Sequence, residues 1–294
     1  MSQHLDPYLV IGATGNQGGA VAAELLRRGH QVRALTRNPE GAAAQRLTAE
    51  GATVVAGDLD RPESLTAAMA GVAGVFSVQP YDPFAGQAGI QQEVTRGIAV
   101  AEAAKDTGVP HVVYSSVDGA ERGSGIPHFE SKWKVEQRLQ ELDVPTTVLR
   151  PTAYMNDFTE RHGPSLVDGT LVVSRALAPG RKLQIVATKD IGHFAADAFE
   201  NPAEHIGTAV ALAGDELTGE DIAQSFADET GLPVRFEEQP LEQVRAFSAD
   251  IAEMFVWLNQ YGYAADIPAL RERHPELMSL RDWIRASGWE PPVG

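Results

Sequence analysis

The first half of the chain alternates short apolar runs with stretches of helical periodicity. Runs such as Tyr8–Ile11 are bounded by glycines or polar residues, which is typical of buried strands. Residues 17–28 place Val21 and Leu25 on one face, at the spacing of an amphipathic helix. We expect Asp60 to cap a later helix. The same pattern predicts six strands, at residues 8–11, 31–36, 53–56, 74–78, 111–115 and 146–150, and further helices that include 42–50, 90–107 and 127–142.

Strands that alternate with helices in this way form parallel βαβ units, so the pattern predicts an α/β fold with a Rossmann-type doubly wound parallel sheet. After residue 150 the alternation breaks, and residues 151–182 are rich in turns. A strand and a helix are expected over 183–200, then a strand, a helix and a second strand over 206–236, and helices over 241–288. We therefore expect a Rossmann domain over residues 1–151, with 183–200 returning to it, and a smaller α/β C-terminal region over 152–294 on the substrate or partner side.

Composition narrows the range of functions. The formal net charge is −16, and such a surface repels phosphate backbones, which argues against nucleic-acid binding. The chain has no cysteine, so a redox role requires a bound cofactor. The first ten residues lack the basic and apolar segments of a signal peptide, and no apolar run reaches the ~18 residues of a membrane span. We therefore expect a cytoplasmic protein without membrane association.

Residues 12–18, with the sequence GATGNQG, follow the first strand and open the first helix. Gly12 allows a tight turn, Gly15 lets the backbone approach a pyrophosphate, and Gly18 lets the helix pack close to the sheet. A helix N-terminus also favours anions. This context predicts a dinucleotide site, and the alternative is an ordinary glycine-rich turn between strand and helix.

Arg37 occupies the position after the second strand, where NAD-binding proteins usually carry an acidic residue. An acidic group there would repel a 2′-phosphate, whereas a guanidinium can bind it with two hydrogen bonds. The sequence therefore favours NADP(H) over NAD(H). The alternative is a solvated arginine in a turn.

Polar residues also follow several other predicted strands. Open α/β sheets bind ligands at the carboxyl ends of their strands, so these residues are candidates for the site. For each group a local turn or loop role is the alternative. The candidates are Asp58, Gln79–Tyr81, Ser115 with Ser116, and Tyr154, Asn156 and Asp157.

The helix predicted over residues 127–142 contains two lysines with different expected environments. Lys132 shares the apolar face with Val135 and Leu139, and His128 lies one turn before it on the same side. Lys134 lies on the polar face and is expected to be solvated. Because a buried ammonium is costly without partners, Lys132 is expected to bind polar groups, and ribose hydroxyls are suitable.

The chain resembles the NmrA-like family of atypical short-chain dehydrogenases, in particular its HSCARG-like members. The stretches that carry the resemblance span most of the chain, and the most family-specific of them lies near the C-terminus. They are VIGATGNQGGAVA, VRALTRNP, GATVVAGDLD, VVYSSVDGA, HFESKWKVEQRL, VPTTVLRP and YGYAADIPALRERHPELMSLRDWIRASGW.

The resemblance implies NADP(H) along the carboxyl edge of the sheet. One departure is that Glu40 and Gly41 stand where some relatives carry a basic residue, which weakens the preference for NADP(H) over NAD(H). The implied contacts are Thr14, Gly15, Asn16 and Gln17 of the glycine segment, which also includes Ala13, at the pyrophosphate; Arg37 and Asn38 at the 2′-phosphate; Asp58 and Leu59 at the adenine; Gln79, Pro80 and Tyr81 after the fourth strand; Lys132 at the nicotinamide ribose; and Tyr154, Met155 and Asn156 beside the nicotinamide.

Short-chain dehydrogenases use a YxxxK motif at this helix, and here His128 replaces the tyrosine. Three hypotheses remain: Lys132 binds the ribose only, Lys132 or His128 donates a proton, or the pair is inert. Ser115 is the candidate hydroxyl facing a substrate carbonyl.

Two functions follow for the whole protein. One is an NADPH-dependent oxidoreductase acting on a small carbonyl, quinone or conjugated double bond. The other is a non-catalytic NADP(H) redox sensor acting through a regulatory protein partner. A homodimer is left open, and the histidine spacing predicts no metal site.

Overall fold

The computed structural model describes residues 6–82, 84–159 and 163–292. The chain divides into two compact units. The first unit consists of the chain through Arg150 together with Ile191–Val210. The second consists of Pro151–Asp190 together with the chain from Ala211 onward. Of residues 183–200, the part through Asp190 therefore lies in the second unit and the part from Ile191 onward lies in the first.

The strands and α-helices are numbered separately, each in chain order. The strands are β1 (Tyr8–Val10), β2 (Val32–Thr36), β3 (Thr53–Ala56), β4 (Gly74–Ser77), β5 (Val112–Ser115), β6 (Thr146–Pro151), β7 (Ala153–Tyr154), β8 (Ser165–Val167), β9 (Thr170–Arg175), β10 (Lys182–Val186), β11 (Ala209–Leu212), β12 (Asp215–Thr218) and β13 (Val234–Glu238). The α-helices are α1 (Asn16–Arg27), α2 (Ala42–Ala49), α3 (Pro62–Met69), α4 (Gly86–Thr107), α5 (Pro127–Glu141), α6 (Thr188–Glu200), α7 (Pro202–His205), α8 (Gly219–Thr230), α9 (Leu241–Phe247), α10 (Ala249–Gln260), α11 (Ile267–Arg273) and α12 (Leu280–Ser287).

A seven-stranded sheet with the order β11-β6-β5-β4-β1-β2-β3 forms the centre of the first unit. Its neighbouring pairs from β3 to β6 are parallel. The central strands are apolar because both of their faces are covered, and Val75, Phe76, Val112 and Val113 are completely buried. The strand order reverses between β1 and β4, and open α/β sheets bind ligands at the carboxyl edge beside such a reversal.

Two glycines allow helices of the first unit to approach closely. A Cβ on Gly97 of α4 would lie 2.3 Å from Cγ2 of Val135 on α5. A Cβ on Gly192 of α6 would lie 2.6 Å from the carbonyl oxygen of Ala20 on α1. Because a side chain at either position would push the helices apart, these glycines set the spacing of the layers that cover the sheet.

The second unit contains two three-stranded sheets, ordered β12-β10-β7 and β13-β9-β8. Strands β8 and β9 form a hairpin whose two turn residues, Asp168 and Gly169, have φ angles of +48° and +76°. Positive φ at both positions is the conformation that Asp-Gly hairpin turns adopt. The helices α8 and α12 begin with capping boxes built by Thr218 with Asp221 and by Ser279 with Asp282.

The predicted α/β fold is confirmed, and all six predicted strands of the first half are present. Helix α4 begins at Gly86, earlier than residue 90. The expected cap of α3 is wrong: Arg61 is the N-cap, and the Asp60 carboxylate binds the Arg96 guanidinium at 2.8 and 2.6 Å. No helix in the described ranges is long and apolar enough to cross a bilayer.

Candidate functional site

The glycine turn between β1 and α1 has little room for side chains at two positions. Gly12 has a φ of +76°, and a Cβ there would lie 2.7 Å from Cγ1 of Val78. A Cβ on Gly18 would lie 2.3 Å from the carbonyl oxygen of Gly12. At Gly15 the nearest atom to an added Cβ is the same oxygen at 3.4 Å, which is an ordinary contact. The fold therefore requires Gly12 and Gly18, whereas Gly15 leaves the backbone open to a ligand.

The N-terminus of α1 presents its backbone N–H groups beside this turn. Its N-cap is Gly15, which has no side-chain oxygen to accept from the amides of the first turn. Thr14, Gly15 and Asn16 are exposed, while Ala13 is buried and can contribute only backbone atoms. An exposed helix N-terminus behind a glycine turn fits the pyrophosphate of a dinucleotide.

Arg37 and Asn38 follow β2 at the carboxyl edge of the sheet. The Arg37 side chain is exposed and forms no hydrogen bond or ion pair with another residue in the described part of the chain. The pKa of the nearby Asp60 carboxyl lies below its usual value, mainly because Arg96 binds it and to a smaller extent because of the Arg37 charge. An exposed guanidinium at this edge fits an anionic group such as a 2′-phosphate.

Asp58 and Leu59 follow β3, the neighbouring edge strand. The backbone N–H of Asp58 donates to Oγ of Ser64 at 2.9 Å, and its Oδ1 accepts from the backbone N–H of Asp60 at 3.1 Å. Asp58 is therefore part of the turn that leads into α3. Its carboxylate is half-buried at the same edge as Arg37, so both its turn role and the adenine role remain compatible with its position.

The residues after β4 bring two predicted site residues together. Gln79 is buried, and its Nε2 donates to Oγ of Ser77 at 2.8 Å, whereas its Oε1 has no hydrogen-bond partner among the described residues. Pro80 is exposed. The Tyr81 ring stacks on the His128 ring, with centroids 5.0 Å apart and planes inclined by 25°. A buried acceptor without a donor is costly, so Gln79 fits a ligand that supplies one.

The hydroxyl groups that end β5 are both engaged. Ser115 Oγ donates to Oε1 of Gln17 on α1 at 2.6 Å. Ser116 Oγ donates to the Glu136 carboxylate on α5. Ser115 is completely buried. The structure therefore brings the predicted Ser115 and Gln17 together, and it ties the end of β5 to the helix that follows the glycine turn.

Lys132 points inward, as predicted, and Lys134 is exposed. The protein partner of Lys132 is Glu93 on α4, whose Oε1 lies 2.7 Å from Nζ. The second oxygen of Glu93 accepts from Oγ of Ser131 at 2.5 Å. Glu93 is completely buried. Sequence reasoning missed Glu93, although its position between Ile90 and Val94 on the apolar face of α4 was a usable signal.

A second buried carboxylate, Glu136, lies in the same layer. It accepts from Nη2 of Arg150 at 2.7 Å. The hydroxyl of Tyr114, on β5, is buried and has no hydrogen-bond partner within the described ranges. Burial, followed by the charges of Glu93 and Glu136, raises the pKa of Tyr114 well above its usual value. Tyr114 therefore keeps its proton and does not substitute for the tyrosine that the HxxxK motif lacks.

Tyr154, Met155 and Asn156 belong to the second unit. Tyr154 ends β7 and pairs with Val186 of β10. Met155 is completely buried, and Oδ1 of Asn156 accepts from the backbone N–H of Thr188 at 3.1 Å. Asn156 therefore accepts a hydrogen bond from the first residue of α6, whose backbone N–H has no partner within the helix.

No group of three or more His, Asp or Glu side chains in the described part of the chain could hold a metal ion. The first unit instead gathers its predicted site residues along one edge, after β1, β2, β3, β4 and β5 and on the first two turns of α5. The parallel sheet, the glycine turn and this polar edge define a Rossmann-type α/β protein whose residues fit a dinucleotide.

The chain belongs to the NmrA-like family, whose model matches residues 7–284. A relative from Xenophilus azovorans, an NAD(P)H azoreductase, is 30% identical over 238 residues, which cover 81% of this chain and 78% of the relative. The triphenylmethane reductase of Citrobacter sp., solved with NADP(H), has a TM-score of 0.78 and 25% identity, covering 96% of this chain and 99% of the reductase.

NmrA itself, a negative transcriptional regulator solved in complex with NADP, has a TM-score of 0.81. The match covers 98% of this chain and 99% of NmrA at 21% identity. At that identity the likeness shows the fold alone. The proteins similar to this chain thus include two named as reductases and one named as a regulator.

Proposed function

We propose that this protein binds NADP(H) and uses it to reduce a carbonyl, quinone or conjugated double bond of a small molecule. The observation that carries the proposal is the glycine turn, which leaves Gly15 open while Gly12 and Gly18 are confined by their neighbours. That arrangement is what backbone approach to a pyrophosphate requires. The reductase names of the Xenophilus and Citrobacter relatives support the oxidoreductase class.

Each predicted residue has a defined task in this proposal. The first-turn amides of α1 bind the pyrophosphate, and Arg37 binds the 2′-phosphate, which selects NADP(H) over NAD(H). Gln79 accepts a hydrogen bond through its buried Oε1. Lys132 binds the hydroxyls of the nicotinamide ribose. The bound cofactor supplies a hydride from C4 of its nicotinamide ring.

The reduction also requires one proton, which is delivered to the substrate oxygen or carbon that does not receive the hydride. His128 and Lys132 are the two candidates within α5. Histidine exchanges protons near neutral pH, and the His128 ring lies beneath Tyr81 at the end of β4. The Lys132 ammonium is occupied by Glu93. This difference favours His128 as the proton donor and Lys132 as a ligand for the ribose.

A non-catalytic redox sensor is the second candidate. It is favoured by the absence of the motif tyrosine and by the high pKa of Tyr114, which removes a substitute acid. NmrA, a regulator with the same fold, was solved with NADP. A sensor must bind the oxidised and reduced nucleotides, or bind its partner in the two states, with different affinities.

Turnover distinguishes the two functions. Purified protein is mixed with NADPH and with a panel of quinones, aldehydes, enones and azo compounds, and the absorbance of the reduced nicotinamide is followed. Substrate-dependent loss of that absorbance supports the reductase. NADPH binding without turnover across the panel supports the sensor.

A further inference from the structure

Glu93 is a completely buried carboxylate with no role in the reaction proposed above. Both of its oxygens are engaged, one by Lys132 Nζ at 2.7 Å and the other by Ser131 Oγ at 2.5 Å. Ser131 and Lys132 are neighbours on α5, whereas Glu93 projects from α4. The carboxylate therefore binds two consecutive residues of the helix that carries the HxxxK motif.

The close packing of the two helices makes this arrangement possible. Gly97 lies one turn beyond Glu93 on α4, and a Cβ there would lie 2.3 Å from Cγ2 of Val135. Val135 in turn follows Lys132 by three residues, on the same face of α5. The missing side chain at Gly97 thus brings the helix axes together where the short contacts of Glu93 occur.

The two buried carboxylates of this layer bind different cations. Arg150 binds Glu136 at 2.7 Å and also Glu121 at 3.0 Å, whereas Lys132 binds Glu93 at 2.7 Å. A buried carboxylate without a cation is strongly destabilising, and so is a buried ammonium without an anion. Each partner of the Glu93–Lys132 pair therefore offsets the desolvation of the other and holds it in one position.

We infer that Glu93 is a positioning residue that fixes the Lys132 ammonium for the hydroxyls of the nicotinamide ribose. An ammonium has three N–H donors, and Glu93 takes one of them. The other donors suit the two hydroxyls of a ribose. Fixing the long lysine side chain before the ligand arrives also lowers the ordering cost of binding. This inference rests on the proposed binding of NADP(H).

The test compares two ligands of the full-length protein by calorimetric titration. NADPH contains the nicotinamide ribose, whereas adenosine 2′,5′-bisphosphate contains only the adenosine part with its 2′-phosphate. We expect Glu93→Met, which removes the acceptor and keeps the volume, to weaken NADPH binding about tenfold. The affinity of this variant for adenosine 2′,5′-bisphosphate should equal that of the wild type, and such binding also shows that the variant is folded.

Four further variants complete the design. Lys132→Met should show the same loss for NADPH, and the double variant Glu93→Met/Lys132→Met should be no worse, because both residues act through one contact. Glu93→Gln keeps an acceptor and should restore most of the affinity. If Glu93→Met does not fold, Glu93→Asp provides the test, because it withdraws the carboxylate by one methylene. This variant should bind NADPH about threefold more weakly than the wild type, with no change for adenosine 2′,5′-bisphosphate.

Equal loss of affinity for both ligands in Glu93→Met would overturn the inference, because Glu93 would then support only the fold. Additive losses of NADPH affinity in the double variant would also overturn it. Failure of this inference can be distinguished from failure of the proposed function. Wild-type protein that binds NADPH without turnover contradicts the reductase but leaves this test intact. Wild-type protein that binds no NADPH contradicts the proposed function itself, and with it the premise of the inference.

Discussion

The Ser115 hydroxyl, at the end of β5, donates a 2.6 Å hydrogen bond to Oε1 of Gln17, in the first turn of α1. The two residues are 98 positions apart in the sequence. The bond connects the strand expected to face a substrate with the helix expected to bind the pyrophosphate. Ser115 thus has a positioning role in addition to any contact with a substrate.

We expect Ser115→Ala to lower the free energy of unfolding by about 1–3 kcal/mol, because a part-buried amide oxygen loses its donor. Urea denaturation measures this change. Ser165→Ala is a suitable control, since Ser165 is exposed on β8. An unchanged denaturation midpoint for Ser115→Ala would show that the bond to Gln17 contributes nothing to stability.

The glycine turn separates effects on folding from effects on binding. We expect Gly18→Ala to destabilise the protein by about 1–3 kcal/mol, because its Cβ would lie 2.3 Å from the Gly12 oxygen. Gly15→Ala should fold normally, since its Cβ meets only an ordinary contact, but should bind NADPH more weakly. Thermal melts and NADPH titrations of both variants check this.

Gly19→Ala is the matched control for these glycines, because its Cβ would lie 3.4 Å from the Ala13 oxygen. It should keep both stability and binding. If Gly15→Ala bound NADPH as tightly as the wild type, the glycine turn would not hold the pyrophosphate.

Much of the first unit could be predicted from its sequence because local patterns determine it. The apolar runs of β4 and β5 are buried on both faces, and parallel strands bring their carboxyl ends to one edge. The hairpin of β8 and β9 was missed, although Asp168 and Gly169 carry a recognisable two-residue turn signal. The flanking strands are short, and the glycines and prolines around them are typical of turns, so the sequence did not indicate strands there.

The partners of the site residues could not be predicted in the same way. Asp60 stands where a helix cap is expected, but Arg96, which lies 36 residues further along, binds its carboxylate instead. The sequence indicated that a buried Lys132 ammonium requires a polar partner, but it did not indicate which residue this partner is. Glu93 supplies it from another helix, at a distance of 39 residues along the chain. Such pairs depend on how helices pack, which hydrophobic periodicity alone does not specify.

Arg37 is expected to select the cofactor. Replacement by alanine removes a charged hydrogen bond to the 2′-phosphate and should weaken NADPH binding about 10–150-fold, with little change for NADH. Fluorescence titration with each nucleotide measures the ratio. Arg46→Ala, an exposed arginine on α2, should leave both affinities unchanged. Equal losses for NADPH and NADH in Arg37→Ala would exclude a contact with the 2′-phosphate.

His111 makes the stability of the fold depend on pH. Burial, and to a smaller extent the charge of His205, lowers its pKa from 6.5 to about 4. The unfolded chain therefore takes up this proton first, so the stabilisation is complete above about pH 6.5 and is lost as the pH falls toward 4. We expect a loss of about 2–3 kcal/mol from this residue.

Urea denaturation between pH 7 and pH 4 isolates this contribution when the wild type is compared with His111→Asn. The variant should be less sensitive to pH over that interval, because asparagine does not titrate. Parallel pH curves for the two proteins would show that His111 is not held neutral in the folded state.

The central claim is that this protein reduces a small molecule with NADPH and that Lys132 serves the bound cofactor. The most direct measurement is the rate of substrate-dependent NADPH oxidation by the wild type, Lys132→Ala and Lys134→Ala. Lys134 is a matched control, because it lies two residues away on the exposed face of α5. We predict turnover by the wild type and by Lys134→Ala, and a loss of at least about tenfold in kcat/KM for Lys132→Ala. Tight NADPH binding by the wild type with no turnover of any quinone, aldehyde, enone or azo compound would contradict the claim.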